Sequence, residues 1–130
     1  NRWTLVDRSA DGLLDEAVAL GVGAVNGAPF GGGILAKGTA TYRSYCYSPA
    51  DDEVLRRIRE MEAACAEHGV PLAAAALQFS TRDPRIASTI VGISRPERVD
   101  ETVRLASWAI PQQLWDVLEP LAAPRELWQW

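Results

Sequence analysis

The chain has 130 residues, 48% of them hydrophobic and 23% charged, with a formal net charge of −4. That is the size and balance of one globular domain with its own core. The acidic sign argues against sequence-independent nucleic-acid binding, which needs basic surface for the phosphates.

No segment reaches the roughly 18 uninterrupted apolar residues of a membrane span, and the opening residues are not expected to be a basic, apolar leader. Cys46 and Cys65 are too few and too far apart for a disulfide framework or a zinc site, so a reducing cytoplasm is the expected setting. The opening, NRWTLVDRS, lacks a methionine and enters strand-like sequence at once. Upstream sequence is expected to be missing.

In chain order, residues 2–7 (RWTLVD) read as a short strand. Leu13, Leu14, Ala17 and Val18 recur at helical spacing and stop at Gly21. Residues 22–28 (VGAVNGA) form a second strand ending at Pro29, followed by Gly31 to Gly33 and a tyrosine-rich loop. Ser48-Pro49-Ala50-Asp51 predicts a helix start with Ser48 as cap. That helix carries Val54, Ile58, Met61 and Cys65 on one stripe, Cys65 as a small buried thiol, and ends at Gly69. PLAAAALQFS predicts a second helix, too apolar all round to face water.

IASTIVG (86–92) reads as a third strand, apolar enough to be covered on both faces. Ser94-Arg95-Pro96-Glu97 repeats the capping pattern and opens a helix to about Leu105, and a last helix starts near Pro111. The order β-α-β-loop-α-α-β-α-α implies a parallel sheet with right-handed crossovers. Three strands leave open edges and little for the helices to cover. The expected object is a piece of something larger.

In parallel α/β folds, ligands bind at the carboxyl ends of strands. After the second strand, Gly31 to Gly33 let backbone approach a ligand without a Cβ. After the third, Gly92 leads into a helix whose first turn offers free N–H groups and a positive dipole end. Ser94, Arg98, Glu101 and Thr102 share one side of that helix, a set suited to a ribose, a phosphate and an adenine amino group. The plain alternatives stay open at this stage: a flexible glycine turn, and a surface pair of Arg98 with Glu101.

His68, the one histidine, is expected to be a surface residue in the last turn of its helix. Tyr42, Tyr45 and Tyr47 would line a polar substrate or pack the loop. Lys37 would reach an anion or stay solvated. No metal-ligand spacing and no GxSxG or triad pattern is present.

GAVNGAPFGGGILAKG, then GVPLAAAALQFSTRDPRIASTIVGISRPERVDET with its closing helix, resembles the C-terminal part of the aldo-keto reductases. The nearest types are the aldose 1-dehydrogenases (L-fucose and D-threo-aldose) and the pyridoxal dehydrogenases. The resemblance covers essentially the whole chain. It implies that residues 1–130 are the C-terminal half of a (β/α)8 TIM barrel, an α/β fold incomplete on its own, with RWTLVD, VGAVNGA and IASTIVG as strands six to eight.

It further implies an NADP or NAD cofactor, with Trp3 in place of a tyrosine that stacks on the nicotinamide. Gly27, Ala28, Pro29, Phe30, Gly31 and Gly32 would form the pyrophosphate loop, Ala28 replacing a serine. Gly92, Ser94, Arg98, Glu101 and Thr102 would form the adenosine end, Thr102 replacing an asparagine. The family's catalytic Asp, Tyr, Lys and His belong to the first five strand ends, which are absent. Asp7, Tyr42, Lys37 and His68 do not match them, so no catalytic residue is assigned.

The implied function is the cofactor-binding half of an oxidoreductase acting on an aldose or related aldehyde or hydroxy compound, inactive by itself. The chain is expected to self-associate or to pair with a missing N-terminal half-barrel. One alternative is a non-catalytic interaction module anchored by Trp128 and Trp130; another is a phosphosugar-binding domain.

Overall fold

Two of the three expected strands form. The computed structural model describes residues 1–128, so Trp130, an anchor in the interaction alternative, lies outside the described residues. Strand β1 (Ala24–Gly27) pairs in parallel with β4 (Ile86–Ile90), setting Val25 opposite Ser88, Asn26 opposite Thr89 and Gly27 opposite Ile90. Helix α1 (Asp11–Ala19) leads into β1. The crossover to β4 contains α2 (Ile34–Lys37), a small hairpin of β2 (Ser44–Tyr45) and β3 (Ser48–Pro49), then α3 (Asp52–Glu67) and α4 (Leu72–Thr81). Helices α5 (Glu97–Ala106) and α6 (Gln112–Leu118) follow β4.

Residues 2–7 are a correction. They make no ladder and bend instead. Thr4 Oγ1 accepts from the amides of Val6 at 3.1 Å and Asp7 at 3.0 Å, and the Thr4 amide donates to the Asp7 carbonyl at 2.9 Å. A local hydroxyl thus offers the backbone an alternative to a strand. The apolar character of Trp3, Leu5 and Val6 reflects burial in the core, not pairing.

The sheet is covered on one face only, against the expectation for 86–92. Asn26 and Thr89 face α4: Asn26 Nδ2 donates to Ser80 Oγ at 2.7 Å and to the Trp3 carbonyl at 2.8 Å, while Ser80 and Thr89 share a hydroxyl contact at 2.7 Å. Val25, Ser88 and Ile90, on the opposite face, are exposed.

The helices form where their periodicity places them. Helix α3 buries Val54, Leu55, Ile58, Met61 and Cys65. Its cap, however, is Asp51, whose carboxylate accepts from the Glu53 amide at 2.8 Å, because Ser48 is held in the hairpin. Helix α4 is buried along most of its length, as its all-round apolarity requires. Helix α5 begins after Pro96 with no side-chain cap; Ser94 is exposed two residues upstream. Ile58, Met61, Leu114 and Leu118 join Ile34 and Leu35 in the centre of the core.

Candidate anion-binding groove

Because Gly27 lies opposite Ile90, the bend after β1 and the bend after β4 leave the same end of the sheet. They enclose a groove of about 230 Å³ lined by Ala28, Phe30, Gly32 and Gly33 from the first bend, Gly92 and Arg98 from the second, and Ala36, Lys37 and Tyr47. Its two charged residues are cations and no carboxylate lines it, in a chain that is acidic as a whole. Such a concavity concentrates anions.

The glycines open the first bend, but not all of them face the groove. Gly31, Gly32 and Gly33 have φ of 57°, 74° and 118°. A Cβ on Gly31 would lie 2.4 Å from Tyr45 Cε2, and one on Gly32 would press the Cys46 backbone at 3.1 Å. The amides of Gly31 and Gly33 donate to the carbonyls of Ala28 at 3.1 Å and Phe30 at 2.9 Å, so both are spoken for. The expected close approach of backbone to a ligand along all three glycines is therefore narrowed. Bare backbone at Gly31 and Gly32 admits the chain's own hairpin, and Gly33 opens the floor beside Lys37.

The cations supply what the amides do not. The Lys37 ammonium lies 4.5 Å from the Tyr42 ring centroid and 3.9 Å from where a Gly33 side chain would begin. Sequence reasoning left it undecided between anion and solvent; the signal was its place one helical turn after Gly33. Arg98 Nε sits 3.7 Å from Glu101 Oε2, both side chains well exposed. An exposed pair of this kind is worth about 0–1 kcal/mol, little enough for Arg98 to exchange Glu101 for a phosphate.

The other expected residues divide. Glu101 faces an adjoining cleft of about 620 Å³ that shares Ala36 and Lys37 with the groove and is walled by Leu105 and Trp108. Thr102 Oγ1 donates to its own helix at the Arg98 carbonyl, 2.7 Å away, leaving it an acceptor at most. Pro29 is fully buried, and the Gly27 carbonyl accepts from the Asn1 nitrogen at 3.0 Å.

Trp3 is not brought to the groove. Its ring packs on Phe79 at 5.3 Å between centroids and under Arg85 at 4.8 Å, next to the first residue of β4. A five-residue strand, roughly 16 Å at about 3.3 Å per residue, separates that place from Gly92.

A larger cavity, about 650 Å³, opens beside Trp3, but most of its charges are paired internally, Arg82 lies over Trp115 and Asp116 accepts from Gln112. Arg85 binds Asp83 at 2.9 Å, Asp11 at 2.8 Å and Asp15 at 2.6 Å, and Arg8 binds Glu119 at 2.7 Å. The Arg85 contacts tie α1 to the amino end of β4, and Arg8 ties the first loop to the end of α6.

Three non-glycine residues around the groove hold positive φ: Ala28 at 56°, Cys46 at 49° and Tyr47 at 72°. Each costs of order 1–3 kcal/mol, and such strain collects where a site needs one geometry. Cys46 and Tyr47 are the hairpin tip, and their conformation places the exposed Tyr47 against the groove.

Burial pushes the Tyr45 phenol well above its usual range and the Cys46 thiol up to about 11, so neither exchanges protons near neutrality. His68 stays near the surface as expected, its Nδ1 2.9 Å from the Ala64 carbonyl. Among the described residues no group of three His, Cys, Asp or Glu is close enough to hold a metal, and no helix is long and apolar enough to cross a membrane.

The sequence profile of the aldo/keto reductase family matches residues 1–122. A pyridoxal 4-dehydrogenase of Microbacterium luteolum is 32% identical over 118 residues, 90% of this chain and 34% of its own. A D-threo-aldose 1-dehydrogenase of a Pseudomonas species is 33% identical over 116 residues, 88% of this chain and 35% of its own. The chain thus spans about a third of the length of these curated relatives. The holo form of aldo-keto reductase AKR11C1 from Bacillus halodurans superposes with a TM-score of 0.73 at 18% identity, over 96% of this chain and 43% of that one. The likeness is one of fold, and it makes the parallel strands here part of an incomplete barrel.

Proposed function

The chain belongs to the aldo/keto reductase family, and on that premise we propose that it holds the pyrophosphate and adenosine end of NADP or NAD. The groove between the two bends carries this reading: it sets two cations, Lys37 and Arg98, around a floor of glycine backbone at the carboxyl ends of parallel strands. Lys37 and Arg98 would take the phosphates, with Gly32, Gly33 and Gly92 allowing close approach. Tyr47 would cover them. The adenosine would run over Ala36 toward the cleft of Glu101, Leu105 and Trp108.

The cofactor supplies the hydride chemistry, and this chain's residues bind and orient it. The intact protein would oxidise an aldose or a related aldehyde or hydroxy compound, as the names of the relatives suggest. No residue of this chain is given a proton-transfer role, so the 130-residue chain is expected to show no turnover. Its open sheet face calls for a missing half-barrel or a second copy.

Titration of NADP+ and NAD+ against the chain at low salt tests the proposal. Saturable binding is expected, weakened about tenfold by Lys37→Ala or Arg98→Ala, the scale of a charge-assisted contact. Binding that both variants leave unchanged would sink it. A scaffold resting on the exposed Val25 and Ile90 needs no dinucleotide, and a phosphosugar module would prefer a sugar phosphate, so the same titration separates all three.

A further inference from the structure

We propose that Tyr45 is a positioning residue for the glycine bend, and that its hydroxyl contact with Thr4 ties the groove to the buried segment 1–7; the inference rests on the groove being the anion site. Tyr45 Oη lies 2.8 Å from Thr4 Oγ1, and both residues are buried. The amides of Val6 and Asp7 occupy the lone pairs of Thr4 Oγ1. The threonine proton is therefore directed at the phenol oxygen. The bend of residues 4–7 thereby fixes where the phenol stands.

The far side of the same ring fixes the groove. Its Cε2 occupies the place of a Gly31 side chain, so the bend closes directly onto the ring. The Cys46 amide then donates to the Gly31 carbonyl at 3.0 Å. Between them, these contacts lock the strained pair Cys46-Tyr47 against the glycines, and Tyr47 enters the groove as a consequence. A phenylalanine would fill the volume of this position equally well. What the hydroxyl adds is the connection to Thr4, beside a side-chain contact with Cys46 in the same hairpin.

The experiment compares the chain with Tyr45→Phe, Thr4→Val, the double variant and Thr4→Ser, reading NADP+ affinity, thermal midpoint and the amide NMR signals of Gly31 to Gly33 and Tyr47. Tyr45→Phe is expected to move those signals and weaken NADP+ binding about 2- to 10-fold, the worth of one neutral hydrogen bond. Thr4→Val, which also removes the acceptor of the Val6 and Asp7 amides, should do at least as much. The double variant should lose less than the two single variants added together, as for two residues sharing one contact, and Thr4→Ser should restore both readouts.

A lowered midpoint with wild-type signals and wild-type affinity would make Tyr45 an ordinary core residue and overturn the proposal. If the unaltered chain binds no dinucleotide, the groove's function falls separately, and the amide signals alone decide: moved, they support positioning of the bend; unmoved, they overturn it. Should Tyr45→Phe fail to fold, the Thr4→Val and Thr4→Ser pair reads the same contact.

Discussion

Gly31 and Gly33 stand two residues apart with different physical reasons to be glycine. Gly31 has no room, because the Tyr45 ring stands 2.4 Å from where its Cβ would be; Gly33 has room, with nothing nearer than 3.8 Å, but a φ of 118°. Gly31→Ala is expected to destabilise the chain by about 2–4 kcal/mol, combining overpacking with backbone strain, and Gly33→Ala by about 1–2 kcal/mol from strain alone. Urea unfolding midpoints check the order; an equal or larger loss at Gly33 would contradict it. Three successive glycines announced bare backbone in the sequence. The ring that requires it at Gly31 comes 14 residues later, at a distance only the folded loop closes.

At the scale of elements, helix α3 locates its own start. Asp51→Ala should cost about 1 kcal/mol as the loss of a cap, whereas Ser48→Ala should stay within about 0.5 kcal/mol; comparable losses would place the cap at Ser48 after all. One turn further, hydrogen bonds from Arg56 and then Arg57 hold the Glu53 carboxyl at about 2, below its ordinary 4.5.

A carboxyl lowered on folding contributes above its unfolded value and loses that contribution as pH falls through its folded one. The stability advantage of the chain over Glu53→Gln should therefore be full above pH 5 and fade toward pH 2. An advantage that did not vary with pH across this window would contradict the assignment. Helices α3, α4 and α6 were legible because each buries a stripe or most of its surface at helical period; α5, which buries no residue, was legible from the Ser94-Arg95-Pro96-Glu97 start. The segment 2–7 was not, since its apolar residues are as compatible with a buried bend as with a strand, and Thr4 decides for the bend.

At the scale of the molecule, the sheet is half-dressed. Val25 and Ile90 are 57% and 62% exposed at diagonal positions on its open face. We expect the chain to self-associate through this face, and Val25→Thr with Ile90→Thr to lower the mass seen by light scattering at equal concentration. Stability should change by no more than about 0.5 kcal/mol per site, because the removed methyls are solvent-exposed. An unaltered chain that scatters as a stable monomer would contradict the expectation.

The sequence by itself determined the longer helices, the two strands that pair in parallel and the two glycine-marked bends, because periodicity and backbone freedom are local properties of the chain. Tertiary structure alone decided which residues meet at those bends. Lys37 and Tyr47 reach the groove, Trp3 leaves for the other end of β4, and Gly31 serves Tyr45. Each of these depends on contacts between residues far apart in the chain, and no local pattern encodes such a distance.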